Sequence, residues 1–155
     1  MIFVTIGTHP DQFDRLIRRI DEIAPLIKEE IIVQKGFTKY IPKNVKYFEF
    51  TDKMDEYYKN ARLVIAQSAT SLIEFIIKYG KPVITVPREA KYKEHINDHQ
   101  VEFAEYFSKK SGVLMIRDMK KITPELLKTY NKKTKLDLTG LHNIQKRIIK
   151  VIDSL

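Results

Sequence analysis

The sequence predicts an α/β fold, a doubly wound parallel sheet of about six strands with helices on both faces. Three observations predict it. Short apolar runs such as MIFVTI (1–6), IIVQ (31–34), RLVIA (62–66) and PVITV (82–86) are too brief for helices and rich in β-branched residues. They alternate with segments whose apolar residues recur at helical spacing. Their apolar character is continuous rather than every second residue, which means burial on both faces of a sheet.

Each element follows in order. The first run ends at Gly7, after which Phe13, Leu16, Ile17, Ile20, Ile23, Ala24 and Ile27 mark an amphipathic helix. Pro25 lacks the amide of the helical ladder and ends or bends that helix near Ala24. IIVQ is the second strand and KYFEF (46–50), bounded by Pro42-Lys43-Asn44, the third. Asp52 is expected to cap the short helix MDEYYKNA (54–61). RLVIA is the fourth strand, SLIEFIIKY (71–79) a helix closed by Gly80, and PVITV the fifth strand, stopped by Pro87. His95 to Lys110 reads as a helix with Ile96, Phe103, Ala104 and Phe107 on one side, and VLMI (113–116) as a sixth strand. Thr123-Pro124 opens a further helix, TYNKKTKLDLTG (129–140) is linker-like, and HNIQKRIIKVIDSL (142–155) closes the chain helically. Residues 1–155 therefore read as one domain, with 109–155 a basic helical C-terminal third.

Composition narrows the function classes. The 155 residues contain no cysteine, which excludes disulfides, thiolate metal sites and a cysteine nucleophile and fits a reducing cytoplasm. Neither a secretory signal nor a membrane-spanning run is evident. The net charge of +8 is carried entirely by residues 109–155, where twelve Lys/Arg face four Asp/Glu. Such a segment is either a solvated lysine-rich helical face or one that meets an anionic membrane surface or acidic partner. Nucleic acid is disfavoured, because KKITPELLKTYNKKTK carries one aromatic, Tyr130, and no recognised binding motif.

In a doubly wound sheet, ligands bind beyond the carboxyl ends of the strands, where helix starts offer free amides. Gly7, Thr8 and His9 follow the first strand; the glycine can bring backbone amides to an anion, or simply make a tight turn. Gln67, Ser68, Ala69, Thr70 and Ser71 join the fourth strand to its helix with three hydroxyls and small side chains, suited to a ligand or to N-capping. Glu74, one turn on, is placed to accept two hydrogen bonds from a ribose diol or to compensate the helix dipole. Arg88 ends the fifth strand, and Glu94, His95, Asp98, His99 and Gln100 cluster beyond it. His95 and His99 stand four apart, but INDH is no zinc motif and no third ligand is evident, so no metal is expected. GxGxxG, P-loop and G-x-S-x-G patterns are absent.

The segments VTIGTHPDQFDRLIRRID (4–21), IIVQKGF (31–37) and GKPVITVPREAKYKEHINDHQVEFA (80–104), with the helix carrying Glu74, resemble the donor-binding subunits of two-component glycosyltransferases. These are the Alg13-like and PssE/EpsF-like proteins, similar to the C-terminal half of GT-B enzymes, the glycosyltransferase family 28 C-terminal domain. The spacings GTH-x3-FDRLI and PR-x5-EHINDHQ-x-EFA carry the resemblance, which covers about residues 1–118.

The resemblance implies a Rossmann-like half domain that binds a UDP-sugar as donor, uses no cofactor or metal, and transfers GlcNAc, Gal or a similar sugar to a lipid-linked acceptor. It implies activity only with an Alg14- or PssD-like membrane-anchored partner, hence a cytoplasmic protein peripheral to the membrane face. It assigns Gly7 and Thr8 to the first-loop motif, Ser71 and Glu74 to nucleotide contact, and His99-Gln100 to the sugar-proximal pair. Gln67, Ser68, Thr70 and Arg88 are further candidate donor contacts, and His9 a candidate base if the partner does not supply one. Where many relatives read H-G-G before the helix, this chain reads Ala66-Gln67-Ser68, without the imidazole or the glycines. A non-catalytic module of the same fold, recruiting or stabilising a membrane partner, is the alternative.

Overall fold

The computed structural model describes residues 1–136. Its sheet holds β1 (Ile2–Thr5), β2 (Ile31–Gln34), β3 (Lys46–Phe48), β4 (Leu63–Gln67), β5 (Val83–Val86) and β6 (Leu114–Met115), in the order β3-β2-β1-β4-β5-β6. Every neighbouring pair is parallel; Ile2 stands opposite Ile31 on one side and Leu63 on the other. The helices are α1 (Asp14–Ile23), α2 (Met54–Asn60), α3 (Ser71–Tyr79), α4 (His99–Ser111) and α5 (Pro124–Thr129). This is the expected Rossmann-like α/β sheet.

Two apolar layers explain the continuous apolar runs. On one face Ile2, Val4 and Ile65 pack with Leu16, Ile17 and Ile20 of α1 and Leu127 of α5. On the other, Phe3, Val64 and Val83 pack with Phe75 and Ile76 of α3 and Phe107 of α4. Successive strand residues point to opposite faces, so a strand covered on both must be apolar throughout. Among the described residues no helix is long and apolar enough to cross a membrane.

Local chemistry sets the ends. A 3-10 turn holding Pro25 follows α1, Gly80 closes α3 in the left-handed region at φ 55°, and the Thr123 side chain caps α5. Two expectations change. The Asp52 side chain does not cap α2; Lys53 holds that position, and the Thr51 hydroxyl accepts from the Lys53 amide instead. The helix expected from His95 begins at His99, because the Asn97 side chain accepts from the His99 amide and Asp98 from the Ala90 amide, closing turns that compete with the helix. The closing helix expected over 142–155 lies outside the described residues.

Candidate functional site

The chain runs outward from β1 through β2 to β3, then returns to place β4 on the other side of β1. The loops after β1 and β4 therefore diverge, and a crevice opens between them. A cavity of about 390 Å³ occupies it, lined by Gly7 and Thr8 from the first loop and Gln67, Thr70 and Ser71 from the second. Met54, Tyr58 and Phe75 form its apolar wall. A second cavity of about 210 Å³ adjoins it, sharing Met54, Tyr58, Ser71 and Phe75 and adding Glu74. The structure thus gathers Gly7, Thr8, Gln67, Thr70, Ser71 and Glu74 along one cleft.

Thr70 occupies the N-cap position of α3 at φ −59°, and its side chain makes no capping bond. The Thr70 and Ser71 hydroxyls, both exposed, are left to the cleft rather than to the helix. The positive end of the α3 dipole lies at the same place. Glu74, exposed in the first turn of α3, faces the adjoining cavity.

Gly7 has another task than donating to an anion. Its amide donates to Gln34 Oε1 at 3.0 Å, and its carbonyl accepts from Gln34 Nε2 at 2.9 Å. Buried Gln34 also accepts from the Thr5 hydroxyl at 2.8 Å and donates to the Glu49 carbonyl, so one amide side chain fixes the whole turn. The turn needs glycine: φ is +70°, and a Cβ there would stand 2.0 Å from Gln67 Nε2. Sequence reasoning treated Gln34 only as a strand residue; a glutamine closing an otherwise apolar strand was the available signal.

Ser68 and Arg88 also sit differently from expectation. Ser68 is buried and bonds the Thr85 hydroxyl at 2.8 Å, so it is held by β5 and does not line the cleft. Arg88, fully buried, donates from Nε to Gln67 Oε1 at 2.7 Å and from its terminal nitrogens to the carbonyls of Ile6, Asp11, Gln12 and Glu94. Burial pushes its pKa down to about 10, still a cation at neutral pH. Its charge braces three loops from behind the cleft wall instead of facing a diphosphate.

Gln100 lies behind that brace, its side-chain oxygen accepting from the Arg88 amide at 3.1 Å, so it reaches the cleft only through Arg88 and Gln67. His99 is exposed and pairs weakly with Glu102 at 3.5 Å. His9 packs against His95 with ring centroids 4.8 Å apart and the planes tilted by 33°. Burial, then Arg88 and His95, hold its pKa below the usual imidazole range. The Asp11 amide donates to His9 Nδ1. The same Nδ1 lies 3.6 Å from Asp11 Oδ2. Among the described residues no cluster of three or more His, Asp or Glu could hold a metal ion.

The family model described as glycosyltransferase family 28 C-terminal domain matches residues 1–150. Two curated relatives are named UDP-N-acetylglucosamine--N-acetylmuramyl-(pentapeptide) pyrophosphoryl-undecaprenol N-acetylglucosamine transferase. That of Flavobacterium psychrophilum is 32% identical over 96 residues, covering 57% of this chain and 25% of the relative. That of Desulfotalea psychrophila is 28% identical over 78 residues, covering 50% and 20%. The chain thus spans a quarter or less of either relative's length. Among solved structures, MurG of Acinetobacter baumannii is similar with TM-score 0.55 and 18% identity, over 80% of this chain and 38% of that one. SnogD of Streptomyces nogalater gives 0.53 and 16%, over 95% and 37%. At such identities these two show a shared fold.

Proposed function

This chain belongs to the family of glycosyltransferase family 28 C-terminal domains, and from that premise we propose that it is the donor-binding subunit of a two-component glycosyltransferase, moving a sugar from a UDP-sugar to a lipid-linked acceptor. The observation that carries this is the cleft at the β1/β4 crossover, which puts Thr8, Thr70, Ser71 and the start of α3 beside Glu74. The diphosphate lies against the hydroxyls and the α3 start, where positive potential meets the charge that grows on the departing β-phosphate. Glu74 accepts from the ribose diol, and Met54, Tyr58 and Phe75 supply the apolar surface for the base. UDP-N-acetylglucosamine, the donor in the curated relatives' names, is the first donor to test.

In this reading an Alg14- or PssD-like membrane-anchored partner brings the acceptor and its base, and holds the protein at the cytoplasmic membrane face. The second reading, a non-catalytic module, is favoured by Arg88 and the Gly7 amide both being committed to protein acceptors. Calorimetric titration with UDP-N-acetylglucosamine and UDP, with and without the partner, separates them. Uridine-dependent binding that weakens about tenfold in Glu74→Ala is expected; no binding even in the presence of the partner leaves the module reading.

A further inference from the structure

We propose that residues 141–155 of the chain fold back into the apolar groove between α3 and α4 and leave their basic face to solvent. This docking does not depend on what the cleft binds.

The groove follows from how the two helices are seated. Phe75 and Ile76 of α3 and Phe107 of α4 face the same apolar layer. On one flank of α3, Lys78 pairs with Asp55 and Phe75 packs 4.7 Å from Tyr58, so α2 covers that flank. At about 100° per residue, Ile73 and Ile77 fall on the other. On α4, Glu105 faces Arg117 beyond β6 at 3.9 Å, and Phe103 and Tyr106 fall on the opposite flank, toward α3. Ile77 and Tyr106 are 53% and 68% exposed, and Phe103 stacks on Phe107 at 5.2 Å. Both walls are therefore apolar and open.

The chain itself leads into this groove. Beyond α5 the Thr134 hydroxyl donates to the Lys81 carbonyl at 2.7 Å, and the Lys135 amide donates to the Ser111 carbonyl at 2.9 Å. The backbone thus passes between the closing ends of α3 and α4, and Leu136 packs in the same apolar layer as Ile73 and Phe103. Four residues on begins LHNIQKRIIKVIDSL (141–155), where Leu141, Ile144, Ile148, Ile152 and Leu155 recur at helical spacing while Lys146 and Lys150 fall opposite. As a helix this segment spans about 22 Å, close to the roughly 20 Å of α4. A tether this short sets a local concentration on the order of millimolar, ahead of any separate occupant. The apolar stripe and the positive charge of the C-terminal third then have separate tasks: one covers the groove, the other faces outward.

The chain has no cysteine, so one introduced as Lys150→Cys carries a nitroxide at a defined place on the outward face. NMR of the whole labelled protein is expected to show broadened amides at Ile73 to Ile77 and Phe103 to Phe107, with those of α1, across the sheet, sharp. No broadening, or broadening of α1 instead, overturns the docking. Nitroxide-labelled protein is then mixed with isotope-labelled protein that carries no nitroxide. Broadening in that mixture means a second copy fills the groove and overturns the proposal, as does broadening that requires phosphatidylglycerol vesicles. Hydrogen exchange gives a second measure. Ile77→Asp with Tyr106→Asp should lower the protection of the 144–152 amides about tenfold, whereas Ile41→Asp, at an exposed apolar residue elsewhere, should leave it unchanged. Equal protection in the two variants overturns the proposal.

Discussion

Arg88 Nε donates to Gln67 Oε1 at 2.7 Å, joining the ends of β5 and β4 directly behind the cleft between the β1 and β4 loops. The same guanidinium holds the carbonyls of Ile6, Asp11, Gln12 and Glu94 and lies 4.8 Å over the Phe13 ring. The cleft wall therefore takes its shape from a buried cation whose guanidinium is bonded to protein acceptors.

Arg88→Met should destabilise the fold by about 3–5 kcal/mol, because it removes the charge and strands buried carbonyl acceptors together. Urea unfolding measures it. A loss below about 1 kcal/mol would show that the brace is dispensable.

Gly7→Ala forces a methyl against the Gln67 amide at a positive φ. Gln67 must then leave either Gly7 or Arg88. The expected cost is about 1–3 kcal/mol, with weakened UDP binding as the wall shifts. Unfolding curves and calorimetry on the same variant check both parts.

Glu74→Ala should weaken UDP binding about tenfold, the loss of hydrogen bonds to a charged acceptor. If Glu74 holds the ribose diol, 2′-deoxy-UDP should bind the parent protein more weakly than UDP, and Glu74→Ala should barely tell the two apart. Undiminished discrimination in the variant would place the ribose elsewhere.

Asp21 makes the fold acid-sensitive. Burial alone would raise its pKa, but the Tyr40 hydroxyl at 2.6 Å and the amides of Asn44 and Lys43 outweigh it, and the pKa falls below 3.8. A depressed folded-state pKa means stability that is fully present above the unfolded value and lost as pH falls through the folded one. Asp21→Asn should cost about 1–3 kcal/mol at neutral pH, and the gap to the parent should shrink below about pH 4. Denaturation midpoints across that range report it.

His9 has the opposite chemistry and the same sign. Its imidazole pKa lies below 6.5 in the fold, so the unfolded chain binds the proton more tightly. Stability from this group is full above about pH 6.5 and declines as pH falls further. His9→Gln should flatten that decline, read from unfolding at pH values on either side of 6.5. An unchanged slope would exclude His9 as its source.

Much of the site was legible because residue type and place coincide. Ser71 and Glu74 follow a strand and open a helix, a relation that spacing alone fixes, and both line the cleft. Arg88 and Ser68 sit in equally suitable loops, yet both are buried, since neighbouring carbonyls and hydroxyls from distant segments compete for them. Gln34 escaped notice because its partners lie up to 29 residues away. The basic character of 109–155 was plain from composition, but what that segment meets was not.

Periodicity and apolar content determined the strand–helix alternation, the parallel sheet and the ends of the crevice, because burial on two faces leaves an unmistakable local pattern. Which polar groups remain free for a ligand was decided only in three dimensions. Hydrogen bonds such as Gln34 to Gly7 and Arg88 to Gln67 join residues 27 and 21 positions apart. A donor satisfied across the fold no longer faces the cleft, whatever its neighbours in the chain.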